Sequence, residues 1–300
     1  MANPEKAYVV TGPTSGYGRG AALELAKHGT VVLVARDKAK LDALRAEIEQ
    51  RGQHAVSVVC DLSDVDGVRR AAAEIVALKL PIAGLLNNAG VQQMRATKNA
   101  KGWDMSYATN HLGPFVLTEA LAPHLPDGAS VVFVVSAVED PNRTMAVRAG
   151  FRGARYVSAE ASARGEWKPG GSSQPGFDAY ATTKQLPLAT VFAFAREMPR
   201  LRINALEPGF SPSTGLGRDA SPALQFIAKI VFPLVSPFIP GSTTPARASK
   251  IMAQVVLDES GVTGTYFDER GKPMKGSAEV SDPAFQDRVV AETRAFLAAR

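Results

Sequence analysis

The feature that most constrains this chain is a glycine-rich turn near its start, between an apolar run and a helical pattern. The apolar run spans residues 7–10, and the turn spans residues 11–18 with glycines at Gly12, Gly16 and Gly18. Glycine lets a backbone turn sharply and approach a ligand, and the free N–H groups of a helix N-terminus attract an anion. A strand, such a turn and a helix in this order predict a site for the diphosphate of a dinucleotide, although three glycines alone would also fit a hairpin or a loop.

The composition is that of a globular chain with ample material for a core. Three hundred residues, 45% of them hydrophobic, suit one large α/β domain or two ordinary ones. No linker rich in Pro, Gly or Ser divides the chain, so we expect a single domain over residues 1–300. The lone Cys60 excludes an intramolecular disulfide, and four scattered histidines offer no ligand spacing, so no metal is expected. A reducing cytoplasm fits, and residues 1–6 lack the apolar core of a signal peptide.

The net charge of +5 raises the question of a nucleic-acid partner. The basic residues lie beside acidic ones in amphipathic segments, so we interpret them as a solvated surface and expect no nucleic acid. The most lipophilic run, residues 226–239, is interrupted by Lys229, Pro233 and Pro237. Because it is too short to cross a bilayer, we expect no membrane span.

Apolar strand-like runs alternate with helical patterns through most of the chain. Strands are predicted at 7–10, 30–35, 55–59, 82–86, 131–135 and 201–206, and helices at 38–50, 65–78 and 103–121. Farther on, the pattern predicts a helix at 244–257, a final short strand at 264–267 and a closing helix at 283–300. Runs made almost wholly of Val, Leu and Ile indicate strands buried on both faces. With right-handed crossovers they predict an α/β fold with a doubly wound parallel sheet, the Rossmann fold, whose ligands collect at the carboxyl ends of the strands.

The residues after the second strand indicate which dinucleotide is bound. A site that holds a bare adenosine ribose usually has a carboxylate at the first of these positions, and Ala35 has none. The Arg36 guanidinium can clamp a 2′-phosphate bidentately and stack on adenine, which favours NADP(H). A shift of one residue would bring Asp37 to the ribose and favour NAD instead.

Two further loops follow predicted strands. Asp61 and Leu62 follow the third strand. The Asp61 carboxylate can accept a hydrogen bond from the adenine amino group, or it can cap the helix that follows. After the fourth strand, residues 87–90 read Asn-Asn-Ala-Gly. Asparagine amides can tie neighbouring loops together, and the small residues let the backbone pack against a cofactor, although a plain turn would also explain this tetrapeptide.

At residues 87–90 the sequence resembles the short-chain dehydrogenase/reductase family, whose N-N-A-G motif stands here unchanged. The glycine spacing of residues 11–18 is also similar to that family's, and the resemblance covers residues 5–215. It implies a set of residues that hold the cofactor. They are Gly12, Thr14, Ser15, Gly16, Tyr17, Gly18, Arg36, Asp61, Leu62, Asn88, Ala89, Gly90, Tyr180, Lys184, Pro208 and Gly209.

Four side chains point to proton-transfer chemistry. Tyr180 and Lys184 stand four residues apart, so on a helix they share a face. An ammonium beside a phenol favours the phenolate and is expected to lower the pKa of Tyr180, as a general acid/base requires, although an exposed helix pair is the plainer interpretation. Ser136 ends the fifth strand, where its hydroxyl can donate to a substrate carbonyl. Asn110 lies within the long fourth helix, where an amide can disturb the backbone ladder and hold water.

Together these residues resemble the catalytic tetrad of the short-chain family in order and in local setting. The resemblance implies that Tyr180 exchanges a proton with the carbonyl oxygen and that Lys184 perturbs Tyr180 and holds the nicotinamide ribose. It also implies that Ser136 polarises the carbonyl and that Asn110 anchors a water relay to Lys184. Residues 207–209, Glu-Pro-Gly, resemble the family's turn beside the nicotinamide.

Two features depart from the simplest pattern of the family. Pro187 lies just past Lys184, where we expect it to kink the helix. Compact members place the serine and tyrosine much closer together, so residues 137–179 constitute an insertion. Similar enlargements occur in monomeric carbonyl reductases and protochlorophyllide reductases, and the insertion also resembles bacterial ketoreductases related to those that tailor anthracyclines.

Two variable segments bear on substrate and assembly. Residues 209–247 are expected to form a mobile helical flap over the substrate, or alternatively a surface helix packed on the core. Within the insertion, Arg148, Arg152 and Arg155 recur at helical spacing and predict an amphipathic helix. Family members commonly pair through the two long helices after the fourth and fifth strands. If the amphipathic helix of the insertion lies across those helices, it covers the pairing surface and favours a monomer over a homodimer.

These expectations combine into one functional hypothesis and two alternatives. The first is an NADP(H)-dependent oxidoreductase that interconverts a carbonyl and an alcohol on a bulky, mostly apolar small molecule. The second is a reductase of an activated C=C bond, which the same Tyr–Lys pair can serve. The third is a non-catalytic NADP-binding regulator, against which the complete tetrad argues, because a sensor needs no phenol beside an ammonium.

Overall fold

The computed structural model describes residues 6–174, 176–211 and 241–300. Within these ranges a single sheet of eight strands has the order β3-β2-β1-β4-β5-β6-β7-β8. The strands are β1 (Ala7–Thr11), β2 (Thr30–Ala35), β3 (Ala55–Val59), β4 (Ile82–Asn87), β5 (Ser130–Val134), β6 (Arg202–Leu206), β7 (Tyr266–Phe267) and β8 (Pro273–Met274). The pairs up to β7 are parallel, which confirms the doubly wound α/β sheet. The prediction that residues 264–267 form the final strand is wrong, because β8 follows and pairs antiparallel with β7.

Helices flank the sheet and connect most of its strands. They are α1 (Gly16–Leu25), α2 (Lys38–Gln50), α3 (Val65–Ala77), α4 (Met105–Tyr107, Ala108–Leu112 and Gly113–Leu121 in succession), α5 (Thr144–Arg148), α6 (Ala159–Arg164), α7 (Phe177–Glu197), α8 (Pro245–Leu257) and α9 (Pro283–Ala298). Short polar side chains start several of them: Asp37 accepts from Lys40 N at α2, and Thr244 accepts from Arg247 N at α8. Such N-caps satisfy backbone donors that have no partner within the helix.

The core lies in two layers, one on each face of the sheet. Val9 and Val10 are neighbours on β1 and both fully buried, but Val9 packs with α3, α4, α7 and α9, whereas Val10 packs with α1, α2 and α8. Successive strand residues point to opposite faces, so a strand covered on both sides must be apolar throughout. The continuous apolar runs of the sequence are therefore a direct consequence of this double covering.

Helix α4 is not a regular α-helix. Its middle segment, Ala108–Leu112, is a π-helix, and Asn110 lies at its centre. A π turn widens the helix by one residue and often marks a functional position. The disturbed backbone that we expected at Asn110 is present in this form.

Helix α7 continues through Pro187 as one helix of 21 residues. Pro187 does not end the helix, which runs on to Glu197, and the kink that we expected just beyond the Tyr180–Lys184 pair stays a prediction. The proline contributes no backbone N–H to the helix, and its side chain is buried.

The C-terminal helix α9 covers the outer faces of α4 and α7. Arg294 on α9 forms ion pairs of 2.7 Å with Glu119 on α4 and with Glu197 on α7. The buried Phe296 ring lies 5.0 Å from the Trp103 ring, measured between centroids. Helix α9 is thus packed against the surface that we expected the insertion to cover.

The insertion itself does not form the amphipathic helix predicted from its arginine spacing. Helix α5 ends at Arg148, and Gly150 and Gly153 follow with φ of 104° and 78°. Those backbone conformations are incompatible with a right-handed helix, so the period of three or four residues is broken. The segment instead folds back on α7, where the Phe151 and Phe177 rings stack with centroids 4.1 Å apart.

Among the described residues, no helix combines the length and the apolar character that crossing a membrane requires.

Replacing Phe296 by alanine should lower the free energy of unfolding by about 3–5 kcal/mol, because a fully buried aromatic ring leaves a cavity between α9 and α4. Val262→Ala is the control, since its side chain is 39% exposed, and such a surface change is expected to stay within about 0.5 kcal/mol. Urea denaturation followed by circular dichroism measures both changes. Equal effects for the two variants would contradict the packing role given to α9.

Candidate active site

The loops that follow β1 and β4 are joined by side-chain hydrogen bonds. Thr11 Oγ1 accepts from the backbone N–H groups of Asn88 and Ala89, both at 3.0 Å. Asn88 Nδ2 donates to the Thr11 carbonyl at 2.9 Å and to the Gly12 carbonyl at 3.1 Å. Strands β1 and β4 are neighbours at the point where the strand order reverses. In a doubly wound sheet this reversal opens a crevice at the carboxyl ends of the strands, where ligands bind.

The turn after β1 has the form of a diphosphate cradle. Gly12 and Gly16 have φ of 64° and 54°, in the left-handed region that favours glycine. A Cβ atom on Gly18 would lie 2.2 Å from Asn88 Nδ2, so no side chain fits there. Ser15 stands at the N-cap of α1 without a side-chain capping bond, which leaves its hydroxyl and the first N–H groups of α1 for an anion.

The other predicted residues of this region lie around the same crevice. The Tyr17 hydroxyl donates to the Gly209 carbonyl at 3.0 Å, which joins the glycine turn to the loop after β6. Thr14 is half-buried beside the turn. Pro208 is buried, and Gly209 has φ of 80°. These residues fit the shape of a dinucleotide site.

Arg36 and Asp37 differ in how they are used. The Arg36 side chain is exposed at the carboxyl end of β2 and makes no hydrogen bond or ion pair within the described ranges. Asp37 caps α2 by accepting from Lys40 N at 3.1 Å, and its other oxygen lies 3.0 Å from Lys40 Nζ. These contacts hold the pKa of Asp37 below its usual value. Asp37 is therefore committed to the helix, whereas the Arg36 guanidinium is available to a ligand.

Asp61 does not cap α3, so that alternative is wrong. The cap is Asp64, whose side chain accepts from Asp66 N at 3.2 Å. Asp61 is exposed and accepts from Ser63 N at 2.9 Å. Leu62 is buried. The Asp61 carboxylate thus lies at the surface, in the loop between β3 and α3.

The Asn110 amide holds two other parts of the site together. Its Oδ1 accepts from Val91 N at 2.7 Å, and its Nδ2 donates to the Val91 carbonyl at 2.8 Å and to Thr183 Oγ1 at 3.0 Å. A Cβ on Gly90 would lie 3.3 Å from both Asn110 Oδ1 and Lys184 Nζ. Asn110 therefore fixes the loop after β4 against α7. The water relay through Asn110 stays a prediction.

Lys184 and Tyr180 lie together at the carboxyl ends of β4 and β5. Lys184 Nζ donates to the Val134 carbonyl at 3.0 Å and lies 5.7 Å from the centroid of the Tyr180 ring. Burial lowers the pKa of Lys184 to about 8. Burial also raises the pKa of Tyr180 to about 12, and the Glu207 carboxylate adds to this effect. The expected lowering of the phenol pKa is thus absent in this structure, because desolvation outweighs the ammonium and Nζ is directed at the strand.

Ser136 lies two residues beyond the end of β5, at the start of the 3₁₀ turn Ala137–Glu139. Its Oγ accepts from Val138 N at 3.5 Å, a long contact that leaves the hydroxyl proton for another acceptor. The structure brings Ser136 to the same sheet edge as Lys184, whose ammonium contacts the last residue of β5.

Two acidic groups and one aromatic ring near the site were not predicted from the sequence. Glu207 accepts from the backbone N–H of Ala137, and burial raises its pKa to about 7. Burial raises the pKa of Glu139 to about 7 as well. Phe151 lies 6.2 Å from the Tyr180 ring, measured between centroids, and adds an apolar surface beside the phenol. An acidic residue directly after an apolar strand is the signal that could have identified Glu207.

The predicted flap lies mostly outside the described residues. At its edges, Phe210 N donates to the Gly241 carbonyl at 2.8 Å and Thr243 N donates to the Phe210 carbonyl at 3.0 Å. In the part of the chain that the structure describes, no cluster of three His, Cys, Asp or Glu residues could hold a metal ion.

Comparisons with known proteins agree with this architecture. The profile of the short chain dehydrogenase family matches residues 6–147. Human retinol dehydrogenase 13 is 28% identical over 301 aligned residues, which cover 97% of this chain and 84% of that protein. Protochlorophyllide reductase B of Oryza sativa subsp. japonica is also 28% identical, over 92% of this chain and 72% of its own length.

A solved structure has the same fold at lower sequence identity. The angucycline C-6 ketoreductase LanV, crystallised with bound NADP, superposes with a TM-score of 0.66 over 90% of this chain and 96% of that one. At 20% identity this likeness shows the fold alone. The matched profile, the two long alignments and the geometry of the glycine turn lead to one conclusion: the chain belongs to the short-chain dehydrogenase/reductase family of oxidoreductases, which use nicotinamide cofactors.

Proposed function

We propose that this protein is an NADP(H)-dependent oxidoreductase that interconverts a carbonyl and an alcohol on a bulky, mostly apolar small molecule. The observation that carries the proposal is the Tyr180–Lys184 pair, with an ammonium 5.7 Å from the phenol ring, Lys184 buried and Tyr180 half-buried. An exposed helix pair would show neither the burial nor the pKa shifts. Perturbed titratable groups in a crevice are typical of a catalytic site.

The chain's own residues would hold the cofactor along the crevice. The glycine turn and Ser15 would hold the diphosphate, Arg36 the 2′-phosphate, and Asp61 the adenine amino group. The residues at 88–90 and the Pro208–Gly209 turn would lie against the nicotinamide half. The bound nicotinamide would supply or accept the hydride.

Proton transfer is assigned to Tyr180. With a pKa of about 12 the phenol is protonated at neutral pH, so it can donate to a carbonyl oxygen. Ser136 would donate a hydrogen bond to the same oxygen, and Lys184 would hold the cofactor ribose.

The aromatic surface next to Tyr180 supports an apolar substrate. Phe151 and Phe177 stack on each other, and Ala146 and Ala181 complete the cluster with the Tyr180 ring. Because this cluster consists of aromatic and apolar side chains, an aromatic or alicyclic ketone fits it better than a small polar one. A substrate flap at 209–247, and the cytoplasmic location suggested by the single cysteine, remain parts of the proposal.

Tyr180→Phe should leave the affinity for NADPH nearly unchanged and lower kcat by about two orders of magnitude, since the general acid is lost. Steady-state assays with an aromatic ketone measure kcat, and quenching of protein fluorescence measures cofactor binding. Lys184→Ala serves as the comparison, because it should weaken both. A Tyr180→Phe enzyme with nearly normal kcat would remove the phenol from the mechanism.

Arg36→Ala should weaken NADPH binding about ten- to a hundredfold and change NADH binding little, because a charge-assisted bidentate contact is lost. Asp37→Asn is the matched control: asparagine also caps helices, so α2 persists while the adjacent charge is removed. Fluorescence titration of the unaltered protein and the two variants with each cofactor measures the six affinities. If the unaltered protein preferred NADH, Asp37 and not Arg36 would be assigned to contact the adenosine ribose.

We further propose that the protein is a monomer. Family members commonly pair through the helices that correspond to α4 and α7, and here α9 lies over both, with Arg294 and Phe296 packed against them. Light scattering across a concentration series should therefore give the mass of one chain from low to high micromolar protein. A stable dimer at low micromolar concentration would contradict this assignment.

A further inference from the structure

Glu139 is a deeply buried carboxylate that lies three residues after Ser136, with 1% of its surface exposed. Both of its oxygens face Ser277. Oε1 accepts from Ser277 N at 2.8 Å, and Oε2 accepts from Ser277 Oγ at 2.6 Å. Two hydrogen bonds to an ionised carboxylate are short and directional, so they fix the side chain in one position.

The turn that carries Glu139 is weakly held by its own hydrogen bonds. Glu139 N donates to the Ser136 carbonyl at 3.4 Å, and Asp140 N donates to the Ala137 carbonyl at 3.2 Å. The contact between Ser136 Oγ and Val138 N is 3.5 Å long. The hydrogen bonds that join the Glu139 side chain to Ser277, outside the turn, are shorter, at 2.8 and 2.6 Å. The position of Ser136 therefore depends on the rest of the molecule more than on its own turn.

Residues 275–279, which we call the strap, reach three other parts of the chain. The Lys275 carbonyl accepts from Arg143 Nη2 at 2.9 Å. Glu279 forms an ion pair of 3.1 Å with Lys168 in the insertion, and its other oxygen accepts from Gln185 Nε2 at 3.1 Å. Gln185 directly follows Lys184 on α7. The strap thus connects the turn after Ser136 to the helix that carries Tyr180 and Lys184.

We propose that Ser277 and Glu139 form a positioning pair that fixes the Ser136 hydroxyl relative to Tyr180 and Lys184. The inference rests on the proposed function, because it concerns the same proton-transfer site. Neither residue touches the reacting atoms; both act through Ser136. Removing the Ser277 hydroxyl leaves Glu139 Oε2 without its partner while the bond from Ser277 N remains, so the strap holds the turn through one bond where it had two.

Ser277→Ala tests the pair, with Ser281→Ala as the matched control. The Ser281 hydroxyl donates to the Ser277 carbonyl at 2.9 Å, so its loss perturbs the same segment without touching Glu139. At pH 8, where Glu139 is ionised, Ser277→Ala should lower kcat about tenfold because misplaced catalytic groups lose rate steeply. NADPH affinity and the kcat of Ser281→Ala should stay nearly unchanged.

A double-mutant cycle separates positioning from a general structural role. In a Ser136→Ala background the Ser277→Ala change should cause no further loss of kcat, since the group that it positions is already absent. An equal loss in both backgrounds would overturn the proposal. Glu139→Gln keeps the size of the side chain and an acceptor for Ser277 N, so it should lose less activity than Glu139→Ala, and it supplies a folded variant if the alanine change does not fold.

Hydrogen exchange gives a readout that needs no turnover. The amides of Val138 and Glu139 should exchange faster in Ser277→Ala than in Ser281→Ala, because only the first removes a hydrogen bond between the strap and the turn. If the unaltered protein reduced no carbonyl, the proposed function would fail while the exchange data still decided whether Ser277 holds the turn. Unchanged exchange in Ser277→Ala would overturn the inference in either case.

Discussion

Thr11 and Asn88 make the contact on which the rest of the site depends. The crossovers that leave β1 and β4 run in opposite directions, so the two loops would separate without a connection between them. The Thr11 hydroxyl and the Asn88 amide provide four hydrogen bonds across that gap, between 2.9 and 3.1 Å long. They bring the glycine turn and residues 88–90 to the same place, and Gly18 must be glycine because the Asn88 amide occupies the space of a Cβ.

Asn110 extends this connection to α7, the helix that carries Tyr180 and Lys184. Its amide bonds to Val91 on one side and to Thr183 on the other, and the π-helix around it places the side chain between them. The chain thus uses side-chain amides, which can donate and accept at once, to fix the loops after β1 and β4 and helix α7 at one edge of the sheet. Lys184 is held at this edge by the Val134 carbonyl, so the Tyr–Lys pair has a defined position relative to the glycine turn.

Much of the fold could be predicted because buried parallel strands have an unambiguous pattern. Strand β2 and helix α2 agree with the predicted bounds, since continuous apolar residues mark the first and Asp37 marks the start of the second. Predictions failed where one local signal had two possible uses. Asp61 and Asp64 both precede α3, and only the fold decides which of them caps it.

The other failures concern contacts between segments far apart in the sequence. The arginine period of the insertion predicted a helix, but Gly150 and Gly153 adopt positive φ, and α9 covers the surface instead. The four candidate catalytic residues could be proposed from spacing and from the resemblance to the family, whereas the pKa of Tyr180 could not be predicted. That pKa depends on desolvation, which spacing does not describe. The Glu139–Ser277 contact joins residues 138 positions apart and leaves no local signal.

The assignment of carbonyl reduction is tested most directly by following a label from the cofactor into a product. A ketone conjugated to a C=C bond offers both reducible bonds in one molecule, and NADPH deuterated at both C4 positions marks the hydride. The account predicts one deuterium on the carbon that bears the new hydroxyl group, with the C=C bond intact. Deuterium on the carbon β to an intact carbonyl would indicate alkene reduction, and no transfer to any conjugated or aromatic ketone would contradict carbonyl reduction altogether.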